Sequence, residues 1–255
     1  DEGAFHMSKL KQAFMERVCR SRSCPRIVFL PNPFKILEFR ALMKRVELRR
    51  NDAILDVGSG CGLQTAVLAR SVARAVGIDV SENAANRARS DYGHIYPDGR
   101  LTYQSGTVEE ACFPEEAFDK IISICVLEHV ADPLALLTEC HRITKKGGQI
   151  ALSVDSLANL PDAEFRKRHS KRYAVHQCYT DAELSALLEK AGYRNIRTQY
   201  LGRSPLAARL FRAGLDREYQ YRLSESWWQY FLMGLAEMRF KSSSPGVYLL
   251  AWGYK

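Results

Sequence analysis

The sequence lacks any apolar run of the roughly 20 residues that a bilayer-spanning helix requires, and its charged N-terminus lacks the apolar core of a secretion signal. We therefore expect no transmembrane segment. The seven cysteines include no C-x-x-C pair and no even framework, which excludes a disulfide scaffold. Reduced thiols of this kind favour a cytoplasmic location.

The sequence also has no internal repeat and no extended low-complexity segment. Hydrophobic residues make up 46% of the chain, a fraction typical of a folded core and not of a disordered protein. At 255 residues we expect one large domain with a modest cap. Residues 1–6, which precede Met7, look like an expression-vector remnant and are set aside.

Basic residues exceed acidic residues, which gives a formal net charge of +8. The excess is concentrated near the N-terminus and in residues 44–50 and 166–172. Charge runs usually cover exposed faces. The positive field would nevertheless help a nucleic acid, an anionic membrane surface or an acidic substrate approach, so charge alone leaves a peripheral membrane contact open.

Residues 53–57, AILDV, form a short apolar run typical of a buried parallel strand, and glycines follow at positions 58, 60 and 62. Glycines allow positive φ and close approach of a ligand, and the helix predicted from Leu63 points its positive end at that ligand. A dinucleotide fingerprint needs Gly or Ala where Leu63 stands, which disfavours a dehydrogenase. The acidic Asp56 suits a ligand that carries an ammonium group.

A second apolar run, residues 74–80, RAVGIDV, contains Asp79 at its end. A carboxylate at the end of the neighbouring strand can accept hydrogen bonds from both hydroxyls of a ribose. The glycine loop and this acid together predict a nucleoside site.

Five segments carry a family resemblance: LDVGSGCG at 55–62, GIDVS at 77–81, FD at 118–119, VLEHV at 126–130 and KGG at 146–148. With them the sequence resembles the class I S-adenosylmethionine-dependent methyltransferases, in the group that contains the ubiquinone and menaquinone methyltransferases. The resemblance is close over residues 50–155 and looser over residues 178–200. It implies S-adenosylmethionine as the cofactor and S-adenosylhomocysteine as its product.

The resemblance also implies where this cofactor binds. The glycine loop would face the methionyl part, Asp79 the ribose and Val80 the adenine, while Cys125 and Val126 would flank the methionyl chain. Relatives commonly carry an acid that contacts the adenine amino group, and here Thr107 takes its place. The implied cofactor-binding residues are Asp56, Gly58, Ser59, Gly60, Cys61, Gly62, Asp79, Val80, Thr107, Val108 and Cys125.

Strand and helix patterns alternate between residues 53 and 154, which predicts a parallel sheet covered on both faces, with ligands at its carboxyl edge. A capping box at residues 180–183 starts a later helix, whereas residues 155–179 look irregular. By resemblance, the last strands, near 195–201 and 247–254, pair antiparallel. The expected fold class is α/β, a Rossmann-like doubly wound seven-stranded sheet with an antiparallel last strand. Its first five strands are predicted near 53–57, 74–79, 101–105, 118–124 and 148–154, with helices near 63–72, 82–92 and 132–144.

Three segments complete the predicted organisation. Residues 7–50 form N-terminal helices, near 8–22 and 34–47, and residues 51–202 with 246–255 form the S-adenosylmethionine-binding methyltransferase domain. Residues 203–245 are a helical insertion, far longer than a hairpin loop of about 2 to 5 residues. Its many aromatic residues suit a substrate pocket. We expect a substrate lid, with a dimer face or a membrane contact as alternatives.

Few residues are candidates for chemistry at the acceptor. His129 is the candidate base because histidine titrates near neutrality and this one follows the fourth strand; the alternative is a structural histidine on a backbone hydrogen bond. Relatives that bind a divalent metal carry Glu-x-x-Glu-His, but Cys125 stands at the first position, so we expect no metal. The candidate substrate-binding residues are His176, Tyr179, Trp227 and Tyr230, and His169 lies in the same loop as the first two.

The sequence favours a biosynthetic S-adenosylmethionine-dependent O-methyltransferase whose acceptor is a hydroxyl of a ring, sugar or lipid-linked small molecule. An RNA methyltransferase is one alternative, disfavoured because the fourth strand lacks the Asn/Asp-Pro-Pro-aromatic ending of base-amine enzymes. A non-catalytic protein that binds the cofactor and presents its aromatic helices to a partner is the other alternative. A monomer and a homodimer remain equally open.

Overall fold

A computed structural model describes residues 32–219 and 221–255, and it contains one seven-stranded sheet. The strands are β1 (Ala53–Val57), β2 (Arg74–Asp79), β3 (Leu101–Ser105), β4 (Phe118–Ile124), β5 (Thr144–Asp155), β6 (Arg194–Leu201) and β7 (Tyr248–Tyr254). Their order in the sheet is β3-β2-β1-β4-β5-β7-β6. The strands β1 to β5 pair in parallel, and β7 is antiparallel to both β5 and β6. The predicted fold class is confirmed.

Helices cover both faces of the sheet. They are α1 (Pro33–Met43), α2 (Leu63–Ala69), α3 (Glu82–Tyr92), α4 (Pro133–Ile143), α5 (Ala163–Tyr173), α6 (Asp181–Lys190), α7 (Pro205–Asp216) and α8 (Leu223–Glu237). The helix predicted over residues 8–22 and the suspected vector remnant lie outside the described residues.

Neighbouring residues of each central strand point into different layers. On β1, Ile54 packs with residues of α1, α2 and α3, whereas Leu55 packs with residues of α4 and α6. Strands that are buried on both faces have nearly continuous apolar sequences, and this pattern predicts β1 and β4. The predicted capping box is present, since Thr180 and Glu183 each bond the other's backbone at the start of α6.

The segment predicted to be irregular contains a helix, α5. Asp162 caps it by accepting a hydrogen bond from the amide of Phe165, and its buried residues are Phe165 and His169. The prediction was wrong because the exposed face is strongly basic and leaves only a short buried face, too weak a periodic signal to detect. Other differences are at boundaries: α1 ends at Met43, α2 ends at Ala69, and β5 already begins at Thr144.

The insertion between β6 and β7 consists of α7 and α8. Phe211 of α7 is 1% exposed, and its ring packs edge-on against Phe34 of α1 and Tyr248 of β7. Glu237, near the end of α8, accepts hydrogen bonds from the side chain of Arg203 and the amide of Ser204. The insertion is therefore helical, as predicted, and α7 is part of the core.

Among the described residues, no helix combines the length and apolar character needed to cross a membrane.

Candidate functional site

Backbone hydrogen bonds fold the loop after β1 against β2. The amides of Gly58 and Ser59 donate to the carbonyl of Ile78 at 2.8 and 3.0 Å, and the amide of Gly60 donates to a carboxylate oxygen of Asp79 at 2.7 Å. Gly58 and Gly60 both have positive φ, a conformation that side chains disfavour. The loop geometry therefore depends on these glycines.

Gly62 ends the loop and caps α2. Its φ is 82°, and its carbonyl accepts a 2.6 Å hydrogen bond from the hydroxyl of Tyr103 on β3. A Cβ at this position would lie 2.7 Å from the Tyr103 ring. The third glycine therefore lets the start of α2 lie directly on β3.

A cavity of about 690 Å³ opens beside this loop at the carboxyl edge of the sheet. Eight residues predicted for the site line it, and they come from the ends of four strands. They are Gly58, Asp79, Val80, Thr107, Val108, Cys125, Val126 and His129.

The wall of this cavity fits an adenosyl ligand. Val80 is 75% exposed, and an apolar side chain in this position offers a surface on which a flat ring can stack. Asp79 supplies carboxylate oxygens beside it. The hydroxyl of Thr107 already accepts a 3.2 Å hydrogen bond from the amide of Glu110, so it is partly occupied as an acceptor.

The other residues predicted for cofactor binding support the loop from outside the cavity wall. Asp56 is 1% exposed, and Ser59 is buried behind the loop. Gly60 and Gly62 shape the backbone, and Cys61 is exposed. Residues that the sequence did not single out also line the cavity because they lie in the turn after β4 and the first turn of α4: Val130, Ala131, Asp132, Ala135 and Leu136.

Replacing Asp79 by Asn should weaken S-adenosylmethionine binding about tenfold. The charged acceptor becomes neutral, and hydrogen bonds to charged groups are worth roughly 1 to 1.5 kcal/mol more than neutral ones. Calorimetric titration measures this change. Asp98→Asn, a substitution of an exposed acid remote from the cavity, is the matched control, and equal affinities for all three proteins would contradict the role of Asp79.

Asp56 is buried beneath the loop, where its carboxylate accepts a 2.6 Å hydrogen bond from the hydroxyl of Thr65. Burial raises the pKa of Asp56 to about 7, against the lowering effect of the Thr65 hydrogen bond, and the charge of Asp79 also raises it. The folded protein therefore holds a proton on Asp56 that the unfolded chain releases at lower pH.

We expect the free energy of unfolding to fall as pH rises from about 4 to 7, because the stability linked to a raised pKa is lost as pH approaches the folded value. One group contributes a slope of at most about 1.4 kcal/mol per pH unit. Asp56→Asn should flatten this slope in denaturant unfolding at pH 5, 6 and 7. A variant with the wild-type slope would show that Asp56 does not hold the proton.

His129 is an exposed cavity residue at the end of a short 3₁₀ turn, Leu127–His129. Its Nδ1 lies 3.2 Å from the carbonyl of Ala174, after α5. This contact is the backbone anchor that the structural alternative for His129 requires. Its catalytic role stays a prediction.

Glu128 belongs to the same turn, and its side chain is buried, with 1% exposure. One of its carboxylate oxygens accepts a hydrogen bond from the amide of Asp155 at 3.2 Å, and its other oxygen has no partner. Burial and the charge of Asp155 raise the pKa of Glu128 above its ordinary value. This buried carboxyl group therefore favours its neutral form more than an exposed glutamate does.

The thiol of Cys125 donates to Glu38 of α1 at 2.9 Å, and the hydroxyl of Ser153 donates to the same oxygen at 2.9 Å. Burial and the charge of Glu38 raise the pKa of Cys125 well above its ordinary value. Lys35 pairs with the other oxygen of Glu38 at 3.0 Å. These hydrogen bonds join the helix α1 to the ends of β4 and β5. No sequence motif predicted this contact.

Cys125, Glu128 and Asp155 bring possible ligand atoms within 4.8 Å of one another. The sequence motifs did not single out Asp155 because it ends a different strand, β5. The thiol of Cys125 is bonded to Glu38, and one oxygen of Glu128 is bonded to the amide of Asp155, so two of the three groups already have protein partners. We assign no metal to these residues.

The four predicted substrate-binding residues are not brought together by the structure. The exposed His176 donates its amide to the carbonyl of Glu128. Tyr179 is 2% exposed and directs its hydroxyl to the carbonyl of Leu127 at 3.4 Å, away from the cavity. The rings of Trp227 and Tyr230 contact each other on α8, and Arg40 of α1 lies over the Tyr230 ring.

Comparison with known proteins gives a consistent result. Residues 55–152 match the family described as Methyltransferase domain. A ubiquinone biosynthesis O-methyltransferase from Dinoroseobacter shibae is 30% identical over 202 residues, which cover 75% of this chain and 73% of that protein. Three further ubiquinone biosynthesis O-methyltransferases match over 40% to 59% of their own lengths.

Two solved structures share the fold. Phosphoethanolamine N-methyltransferase 2 of Haemonchus contortus, in complex with S-adenosyl-L-methionine, has a TM-score of 0.65 at 17% identity, covering 97% of this chain and 57% of that one. A S-adenosylmethionine-dependent methyltransferase of Thermotoga maritima, described as a possible histamine N-methyltransferase, has a TM-score of 0.59 at 17% identity, covering 96% of each chain. The glycine loop, the cavity at the carboxyl edge and these relatives lead to one conclusion: the chain belongs to the class I S-adenosylmethionine-dependent methyltransferases.

Proposed function

We propose that this enzyme methylates a hydroxyl oxygen of a ring-containing small molecule, which is held beside the methyl donor at the carboxyl edge of the sheet. Residues 51–202 and 246–255 would bind the donor, and residues 203–245 would serve as the lid. The observation that carries the proposal is the cavity of about 690 Å³ lined by the ends of four strands.

The donor end of the proposal rests on the cavity wall. Asp79 offers its carboxylate and Val80 its exposed face, and Cys125 lies at the end of β4, where the resemblance places the methionyl chain. S-adenosylmethionine supplies a methyl group on a positively charged sulfur. Methyl transfer removes that charge, so a dry and well-oriented site favours the reaction.

The acceptor end rests on the lining of the same cavity. Phe34 of α1, Phe211 of α7 and Tyr248 of β7 are all at most 4% exposed and contact one another edge-on, so these rings are packed core and the cavity is the place for an acceptor. A polynucleotide would need an open basic groove. Among the described residues, no lysine or arginine lines the cavity, which supports a small acceptor over RNA.

The choice of oxygen is supported by the relatives at the sequence level. The Dinoroseobacter shibae protein and the Penicillium expansum protein that matches over 155 residues are both named O-methyltransferases. The structural neighbours named as N-methyltransferases are only 17% identical and show the fold alone.

The test starts with calorimetric titration of the protein with S-adenosylmethionine, S-adenosylhomocysteine and NAD. We expect saturable binding of the first two and none of NAD. Transfer of labelled methyl groups is then measured with hydroxylated aromatic rings, with the corresponding anilines and with RNA. Methylation of the hydroxylated rings supports the proposal; exclusive methylation of anilines or RNA overturns it.

Binding without transfer to any acceptor would favour the other class of function, a cofactor-binding interaction protein. No binding of either adenosyl ligand by the folded protein would remove the donor site altogether.

A further inference from the structure

A second cavity, of about 820 Å³, lies at the amino edge of the sheet. Three loops line it: the chain between α1 and β1, the chain that joins α2 to β2, and the turn before β3. Arg74 begins β2 and lines this cavity, whereas Asp79 ends the same strand in the donor cavity. A strand of this length spans about 17 Å. The two cavities therefore lie at opposite edges of the sheet, and a ligand in one leaves the other free.

The charged residues that line this second cavity are mostly arginines, and we call it the arginine cavity. They are Arg50, Arg70, Arg74 and Arg100, and the one acid among the described lining residues is Asp98. An arginine guanidinium presents a fork of N–H donors that matches two oxygens of a phosphate group. Like charges gathered around one concave surface also concentrate ions of opposite sign. The lining therefore indicates an anion site.

Two of these guanidinium groups are held in place by their neighbours. Arg100 donates from Nε to a carboxylate oxygen of Asp98 at 2.7 Å, and its guanidinium lies 5.5 Å from the centre of the Tyr96 ring. The guanidinium of Arg74 lies 5.3 Å from the centre of the buried Phe118 ring. A guanidinium has five N–H donors, so these contacts leave donors for a ligand. Side chains that are already oriented lose less freedom when they bind.

Backbone hydrogen bonds join the loops that carry these arginines. The carbonyl of Asp52 accepts hydrogen bonds from the amides of Ala73 and Arg74 at 3.0 and 3.2 Å. The amide of Ala75 donates to the carbonyl of Arg100 at 2.7 Å. The three loops are therefore fixed to one another, and the arginine cavity is formed before any ligand enters, as most small-molecule sites are.

A second basic stretch, residues 166–172 of α5, differs from the arginine cavity in how its charge is balanced. Arg168 of that stretch pairs with Asp216 of α7 at 2.6 Å. Within the part of the chain that the structure describes, Arg50 and Arg74 have no acidic partner. Their positive charge is therefore available to an anion from solution.

The size and charge of the arginine cavity favour a small ligand with more than one phosphate group. One guanidinium can bind one phosphate through two hydrogen bonds, and four arginines line this cavity. Its volume lies within the range of about 300 to 1,000 Å³ typical of small-molecule sites. A polynucleotide spreads its phosphate contacts along a groove, whereas these arginines surround a single cavity. A small polyphosphate fits this arrangement better than a nucleic acid does.

We propose that the arginine cavity binds a small anion with two or more phosphate groups, either pyrophosphate or a nucleoside diphosphate, while the donor cavity is occupied. Arg74 and Arg100 supply the oriented contacts, and the exposed Arg50 supplies a further positive charge. The inference does not rest on the proposed methyl transfer, because the site is at the other edge of the sheet.

The test is calorimetric titration of the full chain with pyrophosphate in saturating S-adenosylhomocysteine. The bound adenosyl ligand occupies the donor cavity, so a second anion or nucleotide must bind elsewhere. We expect saturable binding of pyrophosphate that weakens as salt is added. Inorganic phosphate should bind at least about tenfold more weakly, because it can use fewer of the guanidinium groups. Equal affinities for phosphate and pyrophosphate, or no saturable binding, would overturn the proposal.

Arg74→Gln and Arg100→Gln should each weaken pyrophosphate binding about 10- to 100-fold, because each removes hydrogen bonds from a charged donor. Arg168→Gln is the matched control, since it removes an arginine from the basic stretch of α5, and it should bind pyrophosphate as wild type does. All three variants should keep their affinity for S-adenosylhomocysteine. Wild-type affinity for pyrophosphate in both Arg74→Gln and Arg100→Gln would place the anion elsewhere and overturn the site.

ADP and an RNA oligonucleotide, titrated under the same conditions, distinguish the sources of the phosphate groups. ADP binding that is as tight as pyrophosphate binding, and that Arg74→Gln weakens, supports the site and assigns it to a nucleoside diphosphate. Binding of pyrophosphate without ADP supports the site and assigns it to the inorganic ion. Binding of RNA with neither small anion would overturn the proposal.

Arginine modification tests the site in wild-type protein, without a variant that could fail to fold. Phenylglyoxal reacts with accessible guanidinium groups, and mass spectrometry of peptides measures the extent at each arginine. Pyrophosphate should protect Arg74 and Arg100 and leave the modification of Arg168 unchanged. Equal modification of Arg74 and Arg100 with and without pyrophosphate would show that no anion binds between them.

Discussion

Gly58→Ala should reduce S-adenosylmethionine affinity by at least about 100-fold. A Cβ on Gly58 would lie 2.2 Å from a methyl group of Val126, and the residue has a φ of 71°. Overpacking of this kind costs about 1 to 3 kcal/mol, and the left-handed conformation costs roughly 1 to 2 kcal/mol more. Val126 lines the cavity. Either the glycine loop or the cavity wall must therefore move to remove the steric overlap.

Gly60→Ala is the matched control for this experiment. Gly60 belongs to the same loop and has a φ of 52°, but a Cβ there meets nothing within 4 Å. The Gly60→Ala variant has the cost of the left-handed backbone conformation but no steric overlap. It should therefore lose far less affinity for S-adenosylmethionine. Val126→Ala added to Gly58→Ala should restore part of the binding, because the two substitutions share one contact. Equal affinities of the two glycine variants in calorimetric titration would show that the overlap is unimportant.

Phe211→Ala should lower the free energy of unfolding by about 3 to 5 kcal/mol, the usual cost of truncating a buried aromatic side chain. The Phe211 ring lies among rings from three other elements, at 5.2 Å from Phe34, 5.6 Å from Tyr248 and 5.5 Å from His169. Truncation would therefore leave an internal cavity where α1, α5, α7 and β7 meet. Denaturant unfolding of the variant and the wild type measures the loss.

Phe231→Ala provides the comparison within the same insertion. Phe231 is 52% exposed and stacks only on Trp228, itself 62% exposed, on the outer face of α8. Its truncation should change the free energy of unfolding by less than about 0.5 kcal/mol. If denaturant unfolding gave similar losses for both variants, α7 would not be part of the core.

The site residues that the sequence predicted lie in short contiguous segments of the chain. The loop of Gly58, Gly60 and Gly62 directly follows an apolar strand, and Asp79 and Val80 end the next one, so spacing alone put them at one sheet edge. Parallel crossovers are short and of one hand, which fixes where the ends of successive strands lie. Eight predicted residues therefore line one cavity.

The contacts around the end of β5 could not be predicted in this way. Asp155 ends β5 and His169 lies on α5, a helix whose basic surface concealed its buried face. Their 2.7 Å contact depends on how α5 packs on the sheet beneath α7, and no local pattern encodes that packing. For Tyr179 the sequence predicted a site residue where the structure has a core residue. Tyr179 lies in the segment expected at the substrate, but its ring is buried in the core.

The sequence by itself determined the alternating fold, the donor loop and the acid at the end of β2, because each depends on residues close together in the chain and on the fixed geometry of parallel strands. The tertiary structure alone decided the contacts beyond the donor loop: Glu38 on Cys125, Asp155 on His169, and Phe211 among the rings of α1 and β7. These contacts join residues far apart in sequence, and they arise only when helices with weak or mixed patterns pack over the carboxyl edge of the sheet.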